Sequence, residues 1–321
     1  MFNKNLKVVV AGLLVAVLTV VPFIIKPTKV ESATALKIVA LGDSITGLGG
    51  FITKYKNYLI GDLKNYSTVT NLGVNNSTSS DLVQSITNNQ TVRSSVASAD
   101  LVTVEIGIND FFQARGRYLY GVCGGVDNQD CLRSTVTNFE INWNTIIGQV
   151  KGLTDSSTAI RALDIYYSVV VADQGTGSPE NSTFVVLNSY LEQMNAHIHA
   201  SAVANSIPVA QVHRAFNGLT GAEDPIAKGY ILLDAVHPTD LGSRVIATEL
   251  RVLGYAPLKQ PCPDVNGDTR INSTDQLIVA QRFGATIGTS KYLESADVNG
   301  DGKINSGDML IIAQQFNKKC L

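Results

Sequence analysis

The sequence predicts an α/β protein, a three-layer sandwich whose parallel sheet is covered by helices on both faces, followed by a small all-helical module. Three observations carry this. Between residue 36 and about residue 255, short continuous apolar runs alternate with longer stretches of helical periodicity, the pattern of βαβ units. Residues 256–263 (APLKQPCP) then hold three prolines in eight positions, which a packed element would not tolerate. Beyond them DVNGDTRINSTDQLIVAQRF, starting at Asp264, returns as DVNGDGKINSGDMLIIAQQF at Asp297, an offset of 33 residues. A duplication of that kind implies two copies of one supersecondary unit packed together.

Taken in order, residues 1–35 stand apart. Lys4 and Lys7 precede an apolar run at 8–25, and Ala33-Thr34-Ala35 offers small residues for cleavage. The expectation is a signal peptide, with a retained anchor as the alternative. Either one exports the rest of the chain, to the medium or to the outer face of the membrane. Strands are expected at 36–41, 68–74, 101–107, 159–167 and 208–212, and helices at 80–98, 133–152, 181–204 and 240–253. The division is an α/β domain over 36–255, a linker over 256–263 and a module over 264–321.

Composition narrows the function classes. The chain has 321 residues, 25 basic and 27 acidic, a net charge of −2, so it has no basic excess with which to neutralise nucleic-acid phosphates. A hydrophobic content of 45% with 16% charged residues excludes a disordered chain. Four cysteines allow three pairings, of which Cys123–Cys131 and Cys262–Cys320 is expected for an exported protein. No CxxC or Cys/His cluster points to zinc.

Ligands of open parallel sheets bind at the carboxyl ends of the strands. Gly42-Asp43-Ser44-Ile45-Thr46 follows the first expected strand, Gly73 closes the second, and Gly107-Ile108-Asn109-Asp110 follows the third. Asp234-Ala235-Val236-His237-Pro238 precedes the last helix. Taken singly, Ser44 reads as a helix cap and Asn109 or Asp110 as turn residues. Together the segments supply a hydroxyl, an imidazole, a carboxylate and amide donors, the inventory for acyl transfer.

In these four blocks and their order, 36–255 resembles the SGNH hydrolases, the GDSL-type esterase and lipase superfamily. The resemblance implies a flavodoxin-like fold and a serine esterase that needs no catalytic cofactor. It implies Ser44 as nucleophile, His237 as general base and Asp234 as the carboxylate that orients it. The oxyanion donors would be the amides of Ser44 and Gly73 and the side chain of Asn109. Glycine suits position 73 if the backbone there must come close to the substrate. His197 and His199, two apart on a helix, cannot share a metal, and His213 is expected to end a strand. Residues 111–133, with Phe111, Phe112, Tyr118 and Tyr120, are expected as an excursion that shapes the cleft or serves as a structural flap. Acetylated polysaccharide, lipid and small ester all remain open as substrates, and a catalytically silent binding protein on the same fold is the alternative.

Each repeat of the tail carries oxygen donors at the spacing of a calcium loop. The first has Asp264, Asn266, Asp268, the Arg270 carbonyl, Asn272 and Asp275; the second has Asp297, Asn299, Asp301, the Lys303 carbonyl, Asn305 and Asp308. Both end in Asp rather than Glu, and Thr269 stands where glycine is expected, which should weaken the first loop. Each loop leads into an apolar-periodic helix, and neither has a convincing entering helix. Over 262–321 the duplicated loop and exiting helix resemble a type I dockerin. That resemblance implies two calcium ions and a cohesin-domain partner read by Ser273-Thr274 and Ser306-Gly307. A purely structural calcium-stabilised tail is the alternative.

Overall fold

The computed structural model describes residues 35–63, 65–175, 182–258 and 262–319. The expected signal segment lies outside them except for Ala35, and among the described residues no helix is long and apolar enough to cross a membrane.

Five strands, β1 (Leu36–Gly42), β2 (Ser67–Gly73), β3 (Leu101–Glu105), β4 (Ala159–Leu163) and β5 (Val209–Ala210), form one sheet in the order β2-β1-β3-β4-β5. All four pairings are parallel. This is the doubly wound, flavodoxin-like order expected. β1 and β3 are sequestered on both faces, as their unbroken apolar runs require. The chain leaves β1 toward β2 and then crosses back to β3, so the crossovers diverge between β1 and β3. That divergence opens a crevice above Gly42 and Glu105, which lie side by side in register.

Right-handed crossovers assign the helices to faces. After α1 (Ser44–Gly47), α2 (Gly50–Leu63) covers one face and later packs against α10 (Asp240–Val252). The other face takes α3 (Ser79–Asn88), α4 (Gln90–Ala97), α5 (Ile108–Leu119), α6 (Asp130–Leu153) and, beyond the short α7 (Val170–Gln174), α8 (Thr183–Asn205). The helix expected over 80–98 is two helices. The Asn89 carboxamide accepts from the amides of Thr91 and Val92 and so starts a new helix where the first would have continued.

Other differences follow from tertiary packing. α2 buries Phe51, Ile52, Tyr55, Leu59 and Leu63, a helical stripe that the sequence reading passed over. The third and fourth strands are shorter than expected, because the chain turns away at Ile106 and Asp164 to build the crevice. His213 lies in α9 (Val212–Asn217), not at a strand end, and its amide donates to Asp164. Residues 111–133, expected as an excursion, are largely helical. α5 and the start of α6 account for most of them, and Phe111 is buried against Phe112 and Tyr167. The loop between these helices is closed by the Cys123–Cys131 disulfide, while Asn128 bridges the Cys123 amide and the Tyr118 carbonyl. Cys262 is also in a disulfide; its expected partner, Cys320, lies outside the described residues.

Ala256 accepts from the buried guanidinium of Arg161, and Leu258 packs on the same core. A second, separate apolar cluster holds the tail together: Val265, Ile271 and Val279 from one repeat meet Val298, Ile304 and Ile312 from the other. α11 (Ser273–Arg282) and α12 (Ser306–Gln314) are the two exiting helices, each opened by an Asn–Asp capping box. The second loop is entered only by a 3-10 turn, Glu294–Ala296.

Candidate active site

β1 delivers Ser44 to the crevice. The Asp43 side chain accepts from the Ile45 amide at 2.9 Å and caps α1, so the neighbour of Ser44 caps this helix and Ser44 begins it. The turn is crowded. A Cβ at Gly73, at the end of β2, would lie 2.3 Å from the Gly47 nitrogen and 2.7 Å from the Asp43 carbonyl. Glycine at 73 is therefore required by the approach of β2 to the Ser44 turn, a reason that the sequence had assigned to the substrate.

The opposite wall is the segment before α10. Leu232 and His237 pair through the main chain, and Ala235 takes a left-handed φ of 62° to close the turn. Asp234 accepts from the amides of Val236 and His237 at 3.0 and 2.9 Å through one oxygen. Its other oxygen lies 2.8 Å from His237 Nδ1, and His237 Nε2 lies 2.8 Å from Ser44 Oγ. Partial burial opposes the Asp234 anion, but the His237 and Val236 amides and the imidazole outweigh it and hold the carboxyl below its usual range. The buried Tyr166 donates to the Val236 carbonyl at 2.7 Å and so fixes this turn from beneath.

Asn109 stands in the first turn of α5, after Gly107, whose φ of 124° only glycine adopts readily. One N–H of the Asn109 side chain is given to the Ser77 carbonyl at 2.9 Å. Its neighbour Asp110 accepts from the Ser79 amide and hydroxyl at 2.8 and 2.6 Å, tying α5 to α3. The Gly73 amide donates to the Asn71 side chain at 3.0 Å, and that side chain donates to the Thr46 carbonyl at 2.7 Å. Sequence reasoning missed Asn71, Glu105 and Tyr166, which touch the turn only through the fold. His197 and His199 contact different residues, Asn144 and Asp164.

A model of the GDSL-like Lipase/Acylhydrolase family matches residues 40–245. The chain belongs to this family. A second model, the Dockerin type I domain, matches residues 263–317. The chain is 23% identical over 237 residues to the Spore germination lipase LipC of Bacillus licheniformis, which spans 70% of this chain and 99% of that one. A lipase from a goat rumen metagenome has the same fold, with a TM-score of 0.57 at 20% identity over 70% of this chain and 100% of its own. So does a variant of Axe2, an acetyl-xylooligosaccharide esterase from Geobacillus stearothermophilus, with a TM-score of 0.51 at 18% identity over 71% and 99%. The GDSL-like domain makes this protein a carboxylic ester hydrolase.

The dockerin loops suit calcium by the chemistry of their donors. Asp275, Asp297 and Asp308 are almost wholly buried. Burial pushes the Asp308 carboxyl up to about 6, helped by the charges of Asp297 and Asp301, so the loop is an acidic pocket that a divalent cation would relieve. Among the described residues no three carboxylate, thiol or imidazole groups converge as a metal cluster. Asparagine and main-chain oxygens belong to the donor set, and the Asp264 and Asp297 carboxylates accept from loop amides. Thr269 does take the left-handed φ of 69° that glycine would supply, and Gly302 takes 84° in the second loop. Ser273 and Thr274 open α11 and Ser306 and Gly307 open α12.

Proposed function

We propose that this chain is an exported serine esterase in which Ser44, His237 and Asp234 act as a triad. The observation that carries the reading is the unbroken chain of contacts from Asp234 through His237 to Ser44, each link 2.8 Å. Ser44 Oγ attacks the ester carbonyl while His237 Nε2 takes its proton. That proton passes to the departing alkoxide as the C–O bond breaks, leaving an acyl-serine. Water, deprotonated by the same imidazole, attacks the acyl carbon and frees Ser44. Asp234 keeps Nδ1 protonated and stabilises the imidazolium. The tetrahedral oxygen is received by the amides of Ser44 and Gly73 and by the second N–H of Asn109, near the N-terminus of α5. For Gly73 this requires sharing the amide now given to Asn71.

The substrate that fits a dockerin-bearing esterase best is an acetyl ester on a polysaccharide, and an acetyl-xylooligosaccharide esterase shares the fold. A longer acyl chain is the second reading, favoured by Leu48, Leu232 and Leu233, exposed apolar residues next to the Ser44 and Asp234 segments. A signal peptide over 1–35, a hydrolase domain over 36–255, a linker over 256–263 and a dockerin over 264–321 complete the proposal. Each repeat would hold one calcium ion, and the first turns of α11 and α12 would meet the cohesin.

A chromogenic acetate ester tests the chemistry. Ser44→Ala and His237→Ala should each lower kcat by several orders of magnitude, and the double variant should be little worse, because the groups act as a unit. Full activity in Ser44→Ala would overturn the triad. A panel from acetylated xylan to long-chain esters ranks the two substrate readings, and a calcium-dependent cohesin pull-down tests the partner.

A further inference from the structure

We propose that Asp43 is held as a neutral acid whose Oδ2 hydroxyl donates to the Glu105 carboxylate, so that the two form one buried monoanion that positions the Ser44 turn. The positioning role rests on the reading of Ser44 as nucleophile; the protonation state does not.

The geometry begins with register. Gly42 and Glu105 are paired across β1 and β3, so Asp43 leaves the sheet beside Glu105. Both carboxyl groups are sequestered, Asp43 at 0% and Glu105 at 8% exposure. A Cβ at Gly42 would lie 2.3 Å from the Glu105 carbonyl, 2.3 Å from Thr46 Oγ1 and 2.9 Å from Glu105 Oε2, so this glycine makes room for the contact.

The donors around the two acids are unequal. Asp43 Oδ1 accepts from the Ile45 amide, but Asp43 Oδ2 is buried and receives no donor. Glu105 is well supplied: the Thr46 hydroxyl donates at 2.9 Å, and the amides of Asp43 and Thr46 also turn toward it. A buried carboxylate oxygen without a donor is costly, and two buried anions in contact cost more. One proton on Asp43 Oδ2 resolves both, turning the orphaned acceptor into a donor toward Glu105. It belongs on Asp43 because the acid with more donors is the better anion.

The electrostatics agree. Burial, with the Glu105 charge, pushes the Asp43 carboxyl well above its usual range, whereas Glu105 is raised by burial and held back by its bonds to Thr46 and Asp43. Titratable groups near the pair include Asp110 from α5 and Tyr166 beyond β4; Asp234 in turn acts on Tyr166, and His237 is reached through Ser44. The largest influences on the two carboxyls include no lysine or arginine. Asp43 caps α1 and Glu105 binds Thr46, so the pair grips the turn on both sides of Ser44.

The assignment predicts opposite behaviour for two isosteric changes. Asp43→Asn keeps an acceptor for Ile45 and a donor for Glu105, so it imitates the protonated acid. Glu105→Gln replaces one of two accepting oxygens with an N–H group, so the Thr46 hydroxyl, the two amides and the Asp43 hydroxyl converge on a single acceptor. Asp43→Asn should keep kcat/KM on the acetate ester within roughly fivefold of wild type, while Asp43→Ala, Glu105→Ala and Glu105→Gln each lose roughly tenfold or more. The reverse order, with Glu105→Gln tolerated and Asp43→Asn as poor as Asp43→Ala, would overturn the assignment.

Infrared spectroscopy at neutral pH supplies a readout that needs no activity. The carbonyl stretch of a protonated, buried carboxylic acid should be present in wild type and in Ser44→Ala and absent in Asp43→Asn. Its absence from wild type would sink the proposal even if Asp43→Asn does not fold. Activity in Ser44→Ala with the band retained would instead fault the triad.

Stability gives a third test. The folded chain keeps the Asp43 proton at pH values where the unfolded chain has lost it. Stability therefore falls as pH rises from the ordinary carboxyl range toward the raised value. Asp43→Asn should flatten that slope in Tm against pH, and an unchanged slope would count against the buried acid.

Discussion

At the scale of single residues, the site depends on main-chain amides as much as on side chains. Asp234 spends one oxygen on two amides of its own turn, which leaves the other aimed at His237. Asn109 is held in the same manner, one N–H anchored on Ser77 and the other available. A donor aimed at charge that appears only during reaction acts on kcat more than on KM. Asn109→Ala should therefore lower kcat by roughly 100-fold or more with a smaller change in KM. Loss of the Ser77 bond should also cost stability by about 1 kcal/mol. Steady-state kinetics and thermal denaturation of the same variant separate the two; a KM effect with kcat unchanged would leave Asn109 only a positioning role.

Among the elements, the ends of strands and the starts of helices do most of the arranging. β2 ends against the Ser44 turn so closely that only hydrogen fits at position 73. α5 begins at Gly107 and brings Asn109 and Asp110 to the crevice and to α3. In the tail the equivalent decision is made within each loop. Thr269, a β-branched residue at a φ of 69°, holds a conformation that costs side-chain-bearing residues about 1–2 kcal/mol. Thr269→Gly removes that strain but adds backbone freedom to the unfolded chain, an offset of about 0.5–1 kcal/mol. The net expectation is a few-fold tighter first calcium site with the second unchanged. Calorimetric titration of the two sites checks it, and weaker binding would mean that Thr269 is not strained.

For the whole molecule, the crossover reversal between β1 and β3 explains why one crevice collects segments from residues 42, 73, 107 and 234. The separate apolar clusters support a division of labour. The tail crowds the carboxylates of Asp264, Asp268, Asp275, Asp297, Asp301 and Asp308 into two loops around a small core. There the free energy of cation binding becomes folding free energy. Chelation should loosen residues 264–319 in hydrogen exchange and abolish cohesin binding. Ester hydrolysis should not change, because no proposed catalytic residue is a proposed calcium ligand. Loss of hydrolysis with the tail still protected would refute the division.

The amino-acid sequence by itself determined the sheet-forming runs, the four chemical blocks and the duplicated loops. Each of these is written in neighbouring residues: an unbroken apolar run, a Gly-Asp-Ser triplet at a strand end, oxygen donors at fixed spacing. The break at Asn89, the helix at 50–63 and the packing of Phe111 were less legible, because weak local signals gave way to contacts from elsewhere in the fold. Only tertiary structure decided that Asn71 binds Thr46, that Tyr166 supports the His237 turn and that Asp43 lies against Glu105. Those pairs join residues far apart in the chain, and no periodicity records them. Their burial changes what each group can do. A carboxyl that the sequence offers as one more acidic residue becomes, without water and beside another carboxyl, a group that must keep its proton.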